Sequence, residues 1–229
     1  MINNLQGGGA EKLLADICML NSKNYSISVV VLNNLNSKYY SVIKSYSKIF
    51  VLSKSKKYNP VLLFRLMKII ISIKPDVIHA HLFPSFYFSA IVSFFVSAKF
   101  VYTEHSTKNK RRNNIITRLS DKFFYSKFDK IICITDSVKQ SLISSLSLNK
   151  HIQNRIIVIE NGIIIPQNVK PKNILNKIPK ILMIGRFEVQ KDQKSVIIAS
   201  KYVRVKSEFH FFGDGSLIEE CKKIANSLN

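Results

Sequence analysis

The sequence predicts an α/β protein built on mainly parallel, doubly wound sheets. Short runs rich in β-branched residues alternate along the chain with segments of helical periodicity. These runs are continuously apolar, which is typical of strands that helices cover on both faces. Hydrophobic residues make up 46% of the chain and charged residues 21%, so the composition permits a packed core.

The alternation predicts seven strands and seven helices. The strands are Ser28–Leu32, Asp76–Ala80, Phe100–Thr103, Lys130–Ile134, Arg155–Ile159, Lys180–Ile184 and Glu208–Phe212. The helices are Ala10–Asn21, Val61–Ile73, Ser85–Ser97, Arg111–Ser126, Ser137–Leu146, Lys194–Tyr202 and Leu217–Leu228. The stretch from Leu82 to Ala98 carries no charge for 17 residues, the short limit of a membrane span. Its proline and serines favour a buried core helix instead.

Two features predict the domain organisation. The proline-rich segment Pro166–Pro179 interrupts the alternation and is predicted to be a linker between residues 1–165 and 180–229. Only Met1–Gln6 precede the first glycines, a segment too short and polar for a central strand. We therefore expect two Rossmann-like units, the first lacking its first strand and the second incomplete after two strands.

The charge is strongly positive. The chain has 35 Lys and Arg against 14 Asp and Glu, a net charge of +21, which favours polyanionic partners. Between Lys99 and Lys130 there are nine basic and three acidic residues, so this segment is predicted to meet an anionic membrane surface. Its basic residues include Lys108, Lys110, Arg111 and Arg112. A solvated loop and helix face, in a chain whose composition simply favours lysine, is the alternative.

The cysteines and the missing motifs bear on the cellular compartment and on nucleic-acid binding. Cys18, Cys133 and Cys221 lie far apart in apolar settings and are predicted to be buried, reduced thiols, which suits a cytoplasmic protein. The N-terminal residues lack the pattern of a signal peptide. Zinc-ligand spacing, RNP-like aromatic motifs and basic regions followed by heptads are missing from the sequence, which disfavours specific nucleic-acid binding.

Candidate ligand-binding residues in the first unit follow predicted strands or open a helix. Gly8 and Gly9 open the first helix, where backbone amides favour anions; a flexible turn is the alternative. His79 and His81 share one face of a strand. His81 falls at its carboxyl end, where doubly wound folds place ligands. His79 is interpreted as a packed side chain, and a metal pair lacks a third ligand.

The same reasoning applies to the later strands. His105 ends the next strand, and Asn161 follows Arg155–Ile159 in an Asn-Gly pair that also suits a tight turn. Asp136 or Ser137 is expected to cap a helix. Arg186 and Lys191 follow the first strand of the second unit, where a guanidinium and an ammonium suit a diphosphate, with solvated charges as the alternative. Gly213 permits close approach of a ligand.

Seven motifs, in this order, resemble those of the family 4 retaining glycosyltransferases, which have the GT-B fold. They are GGGAEK, DVIHAH, TEHS, ITDS, IENGI, IGRFEVQKD and FFGDG. The resemblance implies two facing Rossmann-like domains, the C-terminal one holding a nucleotide-sugar donor and the N-terminal one a glycolipid or polysaccharide acceptor, as in lipopolysaccharide or capsule synthesis. It implies no metal or other cofactor, because protein cations neutralise the departing phosphate.

The resemblance also implies roles for particular residues. Gly8 and Gly9 would lie near the donor phosphate and the acceptor, and His81 would contact the transferred sugar. His105 would line the acceptor side, Asn161 the interdomain cleft, and Arg186 and Lys191 would clamp the donor diphosphate.

One departure from the family pattern concerns the donor site. The family's paired glutamates, E-x7-E, lie beyond the position where this sequence stops at Asn229. We therefore expect little or no transfer by this chain alone. Alternatives are a non-catalytic nucleotide-sugar-binding fragment, with a second chain supplying the missing part, and, with less support, a basic nucleic-acid-binding protein. The predicted location is cytoplasmic, peripheral at the inner face of the membrane.

Overall fold

The computed structural model describes residues 1–33, 39–53, 61–107, 109–165 and 178–228. The chain forms two compact units, Met1–Ile165 and Pro166–Asn229. Every strand pair in the described residues is parallel, which confirms the predicted α/β class. Residues 166–177 of the predicted linker lie outside the described residues.

The first unit alternates strands with helices. Its elements are α1 Gly9–Asn21, β1 Ser28–Asn33, α2 Tyr40–Tyr46, β2 Lys48–Ser53, α3 Val61–Ile73, β3 Val77–His81, α4 Ser85–Val92, β4 Lys99–Glu104, a 3-10 turn at Lys110–Asn113, α5 Ile115–Tyr125, β5 Lys130–Cys133, α6 Asp136–Leu146, α7 Lys150–Gln153 and β6 Ile156–Val158.

The N-terminal residues join two groups of strands into one sheet. β1 pairs with β2, and β3, β4, β5 and β6 pair in that order. The Ile2 amide donates to the Val30 carbonyl (3.0 Å), and the His81 amide donates to the Met1 carbonyl (2.9 Å). The order is thus β2, β1, Met1–Asn3, β3, β4, β5, β6. Because Met1–Gln6 is short and polar, the sequence predicts that the first strand is lacking. In the structure Met1–Asn3 pairs with β1 on one side and β3 on the other, as a short strand.

Alternate residues of β1 enter two hydrophobic cores, which shows that helices cover both faces of the sheet. Val30 and Leu32 pack in a core with α3, α4 and α6, whereas Val29 and Val31 pack in a core with α1 and α2. This two-sided burial explains why the strand sequences are continuously apolar rather than alternating.

Several predicted boundaries differ from the observed ones. The sequence prediction omitted α2 and β2, and α4 ends at Val92 rather than Ser97. The predicted helix Arg111–Ser126 is divided because the Asn114 side chain accepts from the Ile116 amide (2.9 Å) and begins a new helix. Thr135, and not Asp136 or Ser137, caps α6 by accepting from the Val138 amide (3.2 Å).

The α4 part of the uncharged stretch belongs to the core, whereas Phe83, Phe94 and Phe95 are exposed. Phe86, Ala90 and Val92 are buried against the sheet. None of the helices in the described ranges has the length and apolarity to cross a membrane.

The second unit is a smaller α/β layer. It contains β7 Lys180–Ile184, α8 Gln193–Ser200, β8 Glu208–Phe212 and α9 Ile218–Ser227. Its core is formed by Phe187, Ile197 and Cys221. Cys18, Cys133 and Cys221 are all buried and free, as predicted.

A buried ion pair fixes the segment that follows β4. Arg112 Nη2 donates to Glu104 Oε2 (2.6 Å) and to the Tyr125 hydroxyl (3.1 Å), and that hydroxyl also donates to Glu104 Oε2 (2.6 Å). Arg112 is therefore not part of a lipid-facing surface, contrary to the prediction. Arg111 is half-buried too, beside Asp121 (3.4 Å) and over the Phe83 ring (3.9 Å). Lys108 lies outside the described residues.

Removing Arg112 is expected to destabilise the first unit strongly. Arg112→Ala leaves the Glu104 carboxylate buried without its cation, which costs about 3–5 kcal/mol. The matched control is Lys12→Ala, which breaks the exposed helix pair Lys12–Asp16 and costs less than about 1 kcal/mol. Urea unfolding followed by circular dichroism measures both. Equal losses would contradict this account of the pair.

Candidate functional site

Three histidines cluster at β3 and β4, with His81 and His105 at the carboxyl ends and His79 in the middle of β3. The His79 and His81 rings lie on one face of β3 with centroids 4.2 Å apart. His81 Nδ1 is 3.3 Å from His105 Nε2, and His79 Nε2 is 2.7 Å from the Thr103 hydroxyl. His81 is buried, whereas His105 is half-buried. The structure thus brings together the two histidines that the sequence singled out, and His79 is packed as expected.

The environment keeps these imidazoles neutral. Burial lowers the pKa of His79 and of His105 to about 4, and it lowers the pKa of His81 well below its ordinary range. Between two neutral rings, one nitrogen of the His81 Nδ1–His105 Nε2 pair must carry the hydrogen and donate it, and the other must accept. The tautomer of one therefore fixes the other, and with it whether His81 Nε2 is a donor or an acceptor.

The glycine turn before α1 is less favourable to a phosphate than its sequence indicates. Gly8 is the N-cap of α1 without a side-chain cap. The Glu11 carboxylate lies where a side chain at Gly8 would begin, while the space beside Gly9 is open. An ionised carboxylate at a helix N-terminus occupies the position that attracts anions. This weighs against a phosphate at Gly8, and the roles of Gly8 and Gly9 stay predictions.

Asn161 is distant from the histidines. It is exposed in the segment that follows β6, and β6 is three strands away from β3 in the sheet. At the usual strand spacing this separates their carboxyl ends by about 14 Å. Within the first unit, Asn161 is therefore not part of the histidine cluster.

In the second unit, the loops after β7 and β8 brace each other. The Gly185 amide donates to the Phe212 carbonyl (2.9 Å), and the Phe187 amide donates to the Asp214 carbonyl (2.8 Å). Gly213 has a φ of +154°, and a side chain there would overlap the Gly185 carbonyl. The predicted close approach at Gly213 is thus an approach of backbone to backbone.

Two cations project from this braced loop pair. Arg186 and Lys191 are exposed, and neither has an ion-pair partner among the residues that the structure describes. The buried Gln193 side chain donates to the Arg186 carbonyl (2.8 Å) and the Gly185 carbonyl (3.3 Å). Sequence reasoning missed Gln193, which immediately follows the IGRFEVQKD run and holds this loop through its two hydrogen bonds.

The described ranges contain no group of three His, Cys, Asp or Glu residues arranged to hold a metal ion. That the reaction needs no metal or other cofactor stays a prediction.

The histidine cluster predicts a loss of stability in acid. Because the folded pKa values lie below that of a free imidazole, the unfolded state binds more protons. The contribution of the neutral histidines to the free energy of unfolding is fully present above about pH 6.5 and is lost as the pH falls towards 4. We expect the free energy of unfolding to drop by at least about 2 kcal/mol across this window. Urea titrations at a series of pH values measure it. His105→Asn should flatten the dependence; an unchanged slope would contradict the assignment.

The loop pair in the second unit predicts a strict requirement for glycine. Gly213→Ala forces a side chain onto the Gly185 carbonyl and is expected to cost roughly 2 kcal/mol or more. Gly162→Ala, where no atom lies within 4 Å of the added carbon, is the matched control and should be nearly neutral. Amide hydrogen exchange of β7 and β8 reports the difference. Unchanged protection in Gly213→Ala would contradict the bracing.

Among the comparisons with known proteins, one identifies a family. A model described as Glycosyltransferase Family 4 matches residues 7–165. A search of curated proteins gave no match.

Among solved structures, HepE from Anabaena in complex with UDP and glucose is 16% identical, with a TM-score of 0.73. The apo lipopolysaccharide outer core galactosyltransferase WaaB is 15% identical, with a TM-score of 0.69. A glycosyltransferase from Rickettsia africae is 17% identical, with a TM-score of 0.65.

These likenesses establish the GT-B fold, and each extends over 99% of this chain. The chain spans 65% of HepE, 64% of WaaB and 65% of the Rickettsia protein. Because the family model matches well over half of the residues, the chain belongs to glycosyltransferase family 4.

Proposed function

We propose that this chain acts in the transfer of a sugar, with retention of configuration, from a nucleotide-sugar donor to a glycolipid or polysaccharide precursor. Family membership supports the reaction class. The likeness to HepE, whose structures contain UDP and UDP-glucose, supports the donor class. The observation that carries the proposal is the pair of exposed cations, Arg186 and Lys191, on the braced loops of the second unit.

Arg186 and Lys191 act on the leaving group. Transfer breaks the bond between the anomeric carbon and a diphosphate oxygen, and it forms a bond from that carbon to the acceptor oxygen. The departing nucleoside diphosphate gains negative charge. A guanidinium and an ammonium that already stand at the carboxyl end of β7 stabilise this charge without reorganisation.

The first unit acts on the sugar and the acceptor. A neutral His81 offers one ring nitrogen to a sugar hydroxyl, and His105 fixes which tautomer does so. His105 is the more exposed of the two, and we assign it to the acceptor side on the family resemblance. A role for Asn161 draws on the family resemblance alone.

The acceptor class and cellular location are further parts of the proposal. The name of WaaB, a lipopolysaccharide outer core galactosyltransferase, favours a glycolipid acceptor. The buried free thiols favour a reducing compartment, and the net charge of +21 favours peripheral association with an anionic membrane.

A second candidate function is nucleotide-sugar binding without catalysis. The exposed apolar side chains of Leu182, Ile184 and Phe212 on β7 and β8 favour it, because further polypeptide, including a second chain, would cover them in a complete Rossmann-like domain.

Titration with UDP tests the donor site. Arg186→Gln and Lys191→Gln should each weaken binding about tenfold or more, because each removes a charge-assisted contact to phosphate. Lys206→Gln, an exposed lysine of the same unit, is the matched control. Isothermal titration calorimetry measures all four proteins. Equal affinities, or no binding by the natural sequence, would refute the site.

Turnover separates the two candidate functions. The chain is incubated with UDP-glucose and a lipid-linked acceptor, and released UDP is measured. UDP release that falls in Arg186→Gln supports transfer, whereas binding without release supports the non-catalytic alternative.

A further inference from the structure

Helix α5 presents an apolar face to solvent. Four of its side chains are exposed, namely Ile115 (59%), Ile116 (73%), Leu119 (60%) and Phe123 (51%). At 100° per residue they share an arc of about 100°. The buried residues of α5 are Asp121 and Tyr125, which hydrogen-bond to Tyr87 and Glu104. The helix therefore turns an apolar face towards solvent while it packs Tyr125 into the core.

The apolar face continues onto a neighbouring segment. Phe94, exposed after α4, stacks on Phe123 with ring centroids 6.3 Å apart. We call Phe94, Ile115, Ile116, Leu119 and Phe123 the α5 face. Exposed apolar side chains clustered in this way mark an interaction surface.

Cations border the α5 face. Lys127 Nζ lies 4.5 Å from the Phe94 ring centre and 4.7 Å from that of Phe123. Arg118 and Lys122 project from α5 beside the apolar arc and are partly exposed. The acidic residue of α5, Asp121, is buried and paired with Arg111, so α5 turns no acidic side chain outward.

We infer that the α5 face binds an anionic lipid bilayer, inserting its apolar side chains at the headgroup level. An outward apolar arc bordered by lysine and arginine is the arrangement of interfacial helices. Pairing with a second copy of the chain would bring Arg118, Lys122 and Lys127 of each copy against like charges, in a protein of net charge +21. An anionic bilayer accepts both the apolar side chains and the cations.

This surface gives the proposed membrane acceptor a physical basis. The inference rests on the proposed function only for the location of the protein at a membrane. Binding of the α5 face to lipid does not require a nucleotide-sugar donor. α5 follows the segment that leaves the carboxyl end of β4, where His105 lies. The α5 face and the histidine cluster thus both belong to the first unit.

Vesicle sedimentation without nucleotide tests the inference. The chain should bind equimolar phosphatidylcholine and phosphatidylglycerol vesicles, bind phosphatidylcholine alone much more weakly, and dissociate at high salt. Ile116→Gln/Leu119→Gln should lower the partition coefficient about tenfold or more. The matched control is Phe64→Gln/Ile71→Gln, two exposed residues of α3 (70% and 59%), which should bind as the natural sequence does. Equal loss in both variants, or equal binding to neutral vesicles, would overturn the inference.

A fluorescence reporter tests insertion directly. Because the chain has no tryptophan, Phe123→Trp introduces a single one. Its emission should shift to shorter wavelength with vesicles and be quenched by lipids brominated on the acyl chain, whereas Phe64→Trp should respond to neither. A Phe123→Trp signal that stays water-like overturns the inference. So does sedimentation equilibrium showing a dimer that Ile116→Gln/Leu119→Gln dissociates. Failure of UDP binding leaves the inference intact, so the two proposals fail separately.

Discussion

The parallel pairing around Met1–Asn3 is the constraint on which the first unit depends. In the described residues, backbone hydrogen bonds between this segment and Val30, Leu32 and His81 join the β1–β2 pair to the four-stranded sheet. Burial in this position lowers the pKa of the Met1 amine to about 5. Because the strands of the first unit run in parallel, their carboxyl ends lie at the same edge of the sheet. The hydrogen bond from the His81 amide to the Met1 carbonyl fixes the register of β3, and with it the position of His81 at that edge.

Burial separates the charged side chains that stabilise the fold from those that are free to contact a ligand. Arg112 and Glu104 are buried together and hold the chain between β4 and α5, whereas Arg186 and Lys191 stand exposed on loops fixed by backbone bonds and by Gln193. A cation that reaches a ligand must not be neutralised by the protein itself. Within the first unit, the histidine cluster is neutral because burial lowers the pKa of each imidazole.

Much of the fold was predictable because continuous apolar runs, which are typical of strands in parallel sheets, identified β1 and β3 to β8. The strand β2 was missed although Ile49–Leu52 is such a run. The division of the predicted helix Arg111–Ser126 was also missed, because it results from a local cap in which the Asn114 side chain accepts from the Ile116 amide. The histidine cluster was predictable because His81 and His105 end adjacent strands. The burial of Arg112 was not, because it depends on contacts with Glu104 and Tyr125 from separate elements. The carboxylate beside Gly8 depends on the side-chain conformation of Glu11 within its own helix, and the outward apolar arc of α5 depends on how that helix packs.

The central claim is that ligands of this family 4 chain bind at the carboxyl ends of its parallel strands. Amide NMR spectra recorded during addition of UDP test it most directly. We expect perturbed signals at Gly185–Phe187 and Gly213–Gly215, with Lys180 and Glu208 at the opposite ends of the same strands unchanged. Perturbations confined to the amino ends of β7 and β8 would contradict the account.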